Sequence, residues 1–113
     1  MDNCIFCKIV RGEIPSRKVY EDDHVLAFYD INPKAPVHVI VIPKKHVANV
    51  LEAVGEAEMF GQMMAAVKEI AETLGFSGNG FRLVANTGRD GGQSVGHLHF
   101  HLLAGVTFGE SFG

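Results

Sequence analysis

The chain has no excess of basic charge, no long apolar run and only two cysteines. Each shortfall excludes something. A net charge of −3 and a pI near 6.0 leave no positive field for a phosphate backbone, so no nucleic-acid partner is expected. No stretch approaches the roughly 20 apolar residues of a spanning helix, so no membrane partner is expected either. The opening Met-Asp-Asn-Cys lacks a charged segment followed by an apolar one and does not read as a signal peptide. These absences predict a soluble cytoplasmic protein whose Cys4 and Cys7 stay reduced. No repeat or low-complexity linker divides the 113 residues, so one domain, 1–113, is expected; an apolar content of 47% supports a single small core.

What is present is concentrated in Gly96-His97-Leu98-His99-Phe100-His101-Leu102-Leu103. Side chains alternate across a strand, so His97, His99 and His101 line one face, neighbours roughly 6.6 Å apart. Leu98, Phe100 and Leu102 line the other, where a helix can pack. A helical path would scatter the three rings around its axis. Two chemistries use such a row. A cluster of imidazoles binds a metal, as in three-His zinc sites. Alternatively, one imidazole attacks a phosphorus or acyl centre while its neighbours orient it and bind the oxyanion. The row alone leaves both open. The preceding Asn86-Thr87-Gly88-Arg89-Asp90-Gly91-Gly92-Gln93-Ser94 favours the second. Its glycines permit close backbone approach to an anion, and Ser94 adds a hydroxyl beside the row. It lacks the Lys-Ser/Thr of a nucleoside-triphosphate loop.

Asp2-Asn3 is expected to cap a short helix, Cys4 to Val10, with Gly12 past its end and Ile5, Phe6 and Ile9 on one face. Val19 to Glu21 and Val25 to Tyr29 read as strands around an Asp22-Asp23 turn, and Val37 to Ile42 as a strand ended by Pro43. The long helix lies within Glu56 to Leu74, where Met59, Phe60, Met63, Met64, Val67, Ile70, Ala71 and Leu74 keep the helical period. That stripe reads as core, and Gly75 as its stop. Phe81 to Asn86 and the histidine row complete about five strands. The expected class is α+β on an antiparallel sheet.

The histidine row resembles the signature of the histidine triad (HIT) superfamily. Asp90-Gly91-Gly92-Gln93-Ser94-Val95 resembles its Hint branch, the nucleoside phosphoramidate hydrolases. So do Ile5-Phe6-Cys7-Lys8-Ile9, Asp30-Ile31-Asn32-Pro33-Lys34-Ala35-Pro36 and Val41-Ile42-Pro43-Lys44-Lys45-His46. The resemblance implies a homodimer whose sheets join into one, and hydrolysis of purine nucleoside monophosphates attached to an amine. It implies that His99 is the nucleophile, carrying a transient nucleotidyl group, and that His101 contacts the phosphate oxygens. Ser94 stands near the leaving group, and His46 as a fourth, supporting histidine. Asn86, Gly92 and Gln93 take phosphate-side positions, and Asp30 accepts the ribose hydroxyls. Ile5, Phe6, Ile9, Phe28 and Ile31 form the slot for the base.

The Cys4-Ile5-Phe6-Cys7 motif is weak by itself, and no preceding strand supports a thioredoxin-like site. The resemblance to bacterial relatives implies a zinc site of Cys4, Cys7, His46 and His97, the right number and type of ligands. Its expected role is structural, anchoring the first helix to the active-site wall, with no catalytic metal. His46 then has two roles competing for one nitrogen. The end of the chain lacks the tryptophan of animal Hint tails; Phe108 or Phe112 stand as substitutes, and the short tail and opening motif imply a prokaryotic source. Two alternatives remain: a dinucleoside polyphosphate hydrolase using the same nucleophile, and a nucleotide-binding or protein-interaction module with little turnover. His24, beside an acidic turn, is given no role.

Overall fold

The apolar runs become the centre of a sheet. In the computed structural model, which describes residues 3–112, five strands form: β1 (Lys18–Glu21), β2 (Val25–Tyr29), β3 (Val37–Pro43), β4 (Arg82–Val84) and β5 (Phe100–Ala104). All pairings are antiparallel, in the order β1-β2-β3-β5-β4. β2 and β3 are covered on both sides, so their sequences run apolar without polar alternation.

Two helices lie on opposite faces. The long helix α2 (Ala57–Leu74) places Met59, Met63, Val67 and Ile70 against Val25, Ala27, Val39, Val41 and Leu102. The short helix α1 (Ile5–Val10) places Phe6 and Ile9 against Leu26, Phe28, Ile40 and Ile42. The register pairs Val39 with Leu102 and Ile40 with His101, so Leu102 of β5 faces α2 and His101 faces the α1 side. This is the expected α+β architecture.

Four local expectations need correction. The cap of α1 is Cys4, whose Sγ accepts from the Cys7 N–H at 3.3 Å; Asn3 does not cap it, and Asp2 lies outside the described residues. Met64 and Leu74 remain 38% and 37% exposed, because the apolar stripe of α2 is wider than the face the sheet can cover. β4 is only Arg82–Val84, since the chain then enters the glycine loop. β5 begins at Phe100, so His97 and His99 precede it. Its partner β3 ends at Pro43, which has no N–H to continue a ladder. Upstream of Phe100 the segment is held otherwise: Leu98 N–H donates to Val47 O at 2.8 Å and His97 Nε2 donates to Pro43 O at 2.9 Å. The side chains still alternate, with Leu98 and Leu102 in the α2 core. α2 stops where expected: Gly75 takes φ +84°, a left-handed conformation that glycine adopts without a Cβ clash. Among the described residues no helix is long and apolar enough to cross a membrane.

Candidate active site and metal cluster

The alternation brings the three rings of the row together on the α1 side of the sheet. His99 and His101 lie 5.1 Å apart between ring centroids. Phe6 of α1 stands edge-on to His99 at 5.0 Å and to His97 at 5.9 Å. His97 and His99 are buried and His101 is half-buried.

Backbone partners settle which nitrogen of each ring carries the proton. A carbonyl oxygen only accepts, so His99 Nδ1, 2.8 Å from His97 O, holds the hydrogen. Whenever the His99 ring carries a single proton, the lone pair is therefore on Nε2. By the same logic His97 donates from Nε2 to Pro43 O and keeps its lone pair on Nδ1. Burial and the neighbouring His46 and His99 rings push His97 below the usual histidine range, so it stays neutral. Burial lowers His101 as well, with His99 and His38 adding to the effect.

His38 is the site residue that the motifs leave out. It is buried on β3, and its Nδ1 accepts from the Lys34 backbone N–H at 3.0 Å. An amide only donates, so the proton of neutral His38 sits on Nε2. That N–H donates to His101 Nδ1 at 2.9 Å, with Asp30 Oδ2 3.4 Å away as a second acceptor. His101 Nδ1 is thus an acceptor, and its own proton is left on Nε2. One backbone amide therefore fixes two rings in sequence. Burial holds His38 below its ordinary range, partly opposed by the Asp30 carboxylate. The sequence signal was available: a histidine inside the β-branched run Val37–Ile42.

His46, expected as the supporting histidine, meets the row at His97. It follows the end of β3 and turns to Cys7 Sγ at 3.3 Å and His97 Nδ1 at 3.2 Å. Cys4 Sγ and Cys7 Sγ lie 3.4 and 3.6 Å from the same His97 Nδ1. Cys4, Cys7, His46 and His97 thus present four donor atoms within 4.8 Å of one another. Tetrahedral ligands at zinc, with bonds of about 2.0–2.3 Å, stand about 3.3–3.8 Å apart. The distances fit, and the free lone pair of His97 Nδ1 faces the centre. Burial pushes the Cys7 thiol up, as an unneutralised thiolate in such surroundings requires. Asp30, His38 and His101 form a second close group. It does not fit a metal: with Lys34 N–H on one nitrogen and a proton on the other, His38 has no lone pair to give. The group is a hydrogen-bonded relay.

The glycine loop is tied into this arrangement. Gln93 Nε2 donates to Ala48 O at 2.7 Å and Val95 O at 2.9 Å, and its Oε1 accepts from Gly88 N–H at 3.0 Å. Its amide is engaged within the protein and clasps the loop to the segment after His46. Asn86 donates to Gly91 O at 2.7 Å, so it too shapes the loop. A Cβ on Gly91 would stand 2.5 Å from Thr87 O, and Gly92 takes φ +75°. Ser94 is exposed and shares the lining of a cavity of about 360 Å³ with Asn3, Cys4, Ile5, Val95 and Gly96. A larger cavity of about 550 Å³, lined by residues including Asn79, Arg82 and Phe108, contains none of the histidines. Arg82 there lies under the Phe108 ring at 4.6 Å. Of the expected base slot, Phe6, Ile9 and Phe28 pack together, while Ile5 is 45% exposed and Ile31 fully exposed. Asp30 Oδ1 accepts from Asn32 N–H at 2.7 Å, leaving further lone pairs on the carboxylate.

The sheet, the alternating imidazoles and the glycine loop define a protein of one class, and comparison with known proteins gives it a family. Residues 11–108 match the HIT domain model, and the chain belongs to the HIT family. It is 46% identical over 109 residues to the purine nucleoside phosphoramidase of Escherichia coli K12, covering 96% of this chain and 92% of that protein. Protein HitA of Neisseria gonorrhoeae is 49% identical over 104 residues, covering 91% of this chain and 96% of HitA. Among solved structures, a HIT family hydrolase from Legionella pneumophila superposes with a TM-score of 0.95 at 44% identity, covering 98% of this chain and 100% of that one. A histidine triad protein from Clostridium difficile gives 0.93 at 50% identity, covering 98% and 96%.

Proposed function

We propose that this HIT family hydrolase cleaves the P–N bond of purine nucleoside 5′-phosphoramidates through a nucleotidyl group carried on His99. The observation that carries the reading is the His99 tautomer: the His97 carbonyl holds Nδ1–H, leaving the Nε2 lone pair for attack. That nitrogen attacks the α-phosphorus, the P–N bond breaks and the amine departs with a proton taken from solvent, which the attacking water later returns. Water then attacks the same phosphorus, the N–P bond to His99 breaks and the nucleoside monophosphate leaves. Splitting one displacement into two is the advantage of a covalent nucleophile.

The other residues take roles their partners support. His101 Nε2–H is a donor for the phosphate oxygens, oriented by the Lys34–His38–His101 chain. Ser94 offers its hydroxyl to the leaving group, and Gly92 offers backbone approach to the phosphate. Asp30 receives the ribose hydroxyls. Phe6, Ile9 and Phe28 floor a base slot flanked by the exposed Ile5 and Ile31. Asn86 and Gln93 hold the loop in shape. His46 acts on the metal side only, and His38 takes the supporting place beside the row.

Cys4, Cys7, His46 and His97 hold a zinc ion whose chemistry is structural, tying α1 to the segment that carries His99; no catalytic metal is needed. The chain acts in the cytoplasm as a homodimer. Support for the dimer is β4, an edge strand beside the exposed Phe81, open to pairing with its own copy.

The test is AMP release from adenosine conjugates that differ only in the leaving group. Faster release from amine conjugates than from diadenosine polyphosphates supports the reading. Preference for the polyphosphates overturns the substrate, and tight AMP binding without any hydrolysis overturns the enzyme.

A further inference from the structure

His97 serves two neighbours at once. Its ring Nδ1 faces Cys4, Cys7 and His46, and its backbone carbonyl holds the Nδ1–H of His99 at 2.8 Å. Phe6, which lies between the two cysteines in sequence, packs edge-on against the His99 ring at 5.0 Å. The nucleophile is therefore held from behind by one member of the cluster and from the side by a residue that two members flank. Whatever moves Cys4, Cys7 or His97 moves the support of His99.

The two sulfurs are also unequally placed. Cys7 is buried, whereas Cys4 is partly exposed and lines the cavity of about 360 Å³ that also reaches Ser94. A small oxidant reaches Cys4 first. Cys7 N–H donates to Cys4 Sγ at 3.3 Å, which sets the Cys4 sulfur over the helical turn that bears Cys7.

We infer that the Cys4–Cys7 dithiol is a redox-sensitive positioning device for His99. Reduced and closed around a metal ion, the cluster holds the nucleophile in register; oxidised to a disulfide, it opens and releases it. The inference rests on the proposed catalytic role of His99. The chemistry needs a peroxide as oxidant. The Cys4 thiolate attacks one peroxide oxygen and the O–O bond breaks, giving a sulfenic acid and, with a solvent proton, water. The Cys7 thiolate attacks that sulfur, an S–S bond forms and the S–O bond breaks. The departing hydroxide takes a second proton and leaves as water. Two electrons pass from sulfur to oxygen. Two imidazoles then remain where zinc takes about four ligands, so the ion leaves. A disulfide of about 2.05 Å draws both sulfurs away from their places 3.4 and 3.6 Å from His97 Nδ1.

The test treats the zinc-loaded, reduced full chain with hydrogen peroxide. Disulfide is followed by mass, released zinc with a chromogenic chelator, and kcat and KM with an adenosine phosphoramidate. The His99 Nδ1–H is followed by ¹H–¹⁵N NMR. We expect metal release in step with disulfide, kcat lowered at least tenfold on the order expected for a displaced nucleophile, KM little changed, and a shifted or lost His99 signal. Thiol reductant with zinc restores all of these, and reductant without zinc does not. Cys4→Ser, starting from a lower kcat, shows no further response to peroxide. A disulfide with metal release but unchanged kcat and His99 signal overturns the inference, as does an equal peroxide loss in Cys4→Ser. If the reduced, loaded protein turns over no nucleotide conjugate, the catalytic reading fails, and the NMR signal alone decides whether the cluster positions His99.

Discussion

The carbonyl oxygen of His97 accepts a hydrogen bond from His99 Nδ1 at 2.8 Å, and this contact assigns the lone pair of the buried His99 ring to Nε2. A ring in the opposite tautomer would present an N–H where the nucleophile is needed. The acceptor is a backbone carbonyl, so the tautomer follows from where the His97 main chain is held.

His99→Ala should leave the fold intact, since Leu98 and Leu102 anchor this segment in the α2 core. Its turnover should fall by several powers of ten, the scale seen when a covalent nucleophile is removed. Steady-state kinetics with circular dichroism as a folding control check both halves. Near-normal turnover contradicts the role.

His38→Asn should lower kcat by about tenfold to a hundredfold, less than the ~10²–10³ lost when an anion-binding donor is deleted outright. The variant keeps the His101 ring but loses the N–H that fixes its tautomer. His46→Asn should act differently, reducing metal content first. Paired kinetics and metal analysis separate the two histidines.

Much of this was legible in the sequence. Alternation gave the shared face of His97, His99 and His101, and the helical period gave α2, because both follow from local geometry. The start of β5 was not legible, because it depends on where β3 ends and on bonds from His97 and Leu98 to Pro43 and Val47. His38 was hidden by its apolar neighbours, although a polar ring in a β-branched run was itself a sign. His46 was legible beside Cys4, Cys7 and His97 through the resemblance, which also offered it as a fourth histidine supporting the triad. Only the course of the chain beyond Pro43 shows that it turns to the cysteines rather than to His101. The sequence also did not disclose that Gln93 spends its amide on Ala48, Val95 and Gly88.

Removing the metal with a chelator should lower Tm by roughly 10 °C or more, since losing a structural ion costs several kcal/mol and each is worth about 4–8 °C in a domain near this size. Differential scanning calorimetry with and without added zinc measures it. An unchanged Tm removes the anchoring role.

Stability should fall as pH drops below about 6.5, the ordinary histidine value. His38 and His101 are both held below that value when folded, mainly by burial. Between the two values the unfolded chain binds protons that the folded chain refuses, so acid favours unfolding. Urea midpoints across pH 5 to 8 should show the decline, and His38→Asn should flatten it. A slope unaltered in that variant contradicts the assignment.

Gly91→Ala should raise KM for the nucleotide and leave Tm little changed. The added Cβ would meet Thr87 O at 2.5 Å and force the exposed loop to shift, while the core stays untouched. Kinetics and a melting curve on the same preparation decide it.

The proposed mechanism stands on a bond between phosphorus and His99. Rapid mixing with an adenosine 5′-phosphoramidate, an alkaline quench and peptide mass spectrometry look for it directly. An adenylyl group is expected on the His99 peptide, formed before steady state and absent in His99→Ala. AMP release at the normal rate with no such adduct at any mixing time, or with the group on another residue, would contradict it.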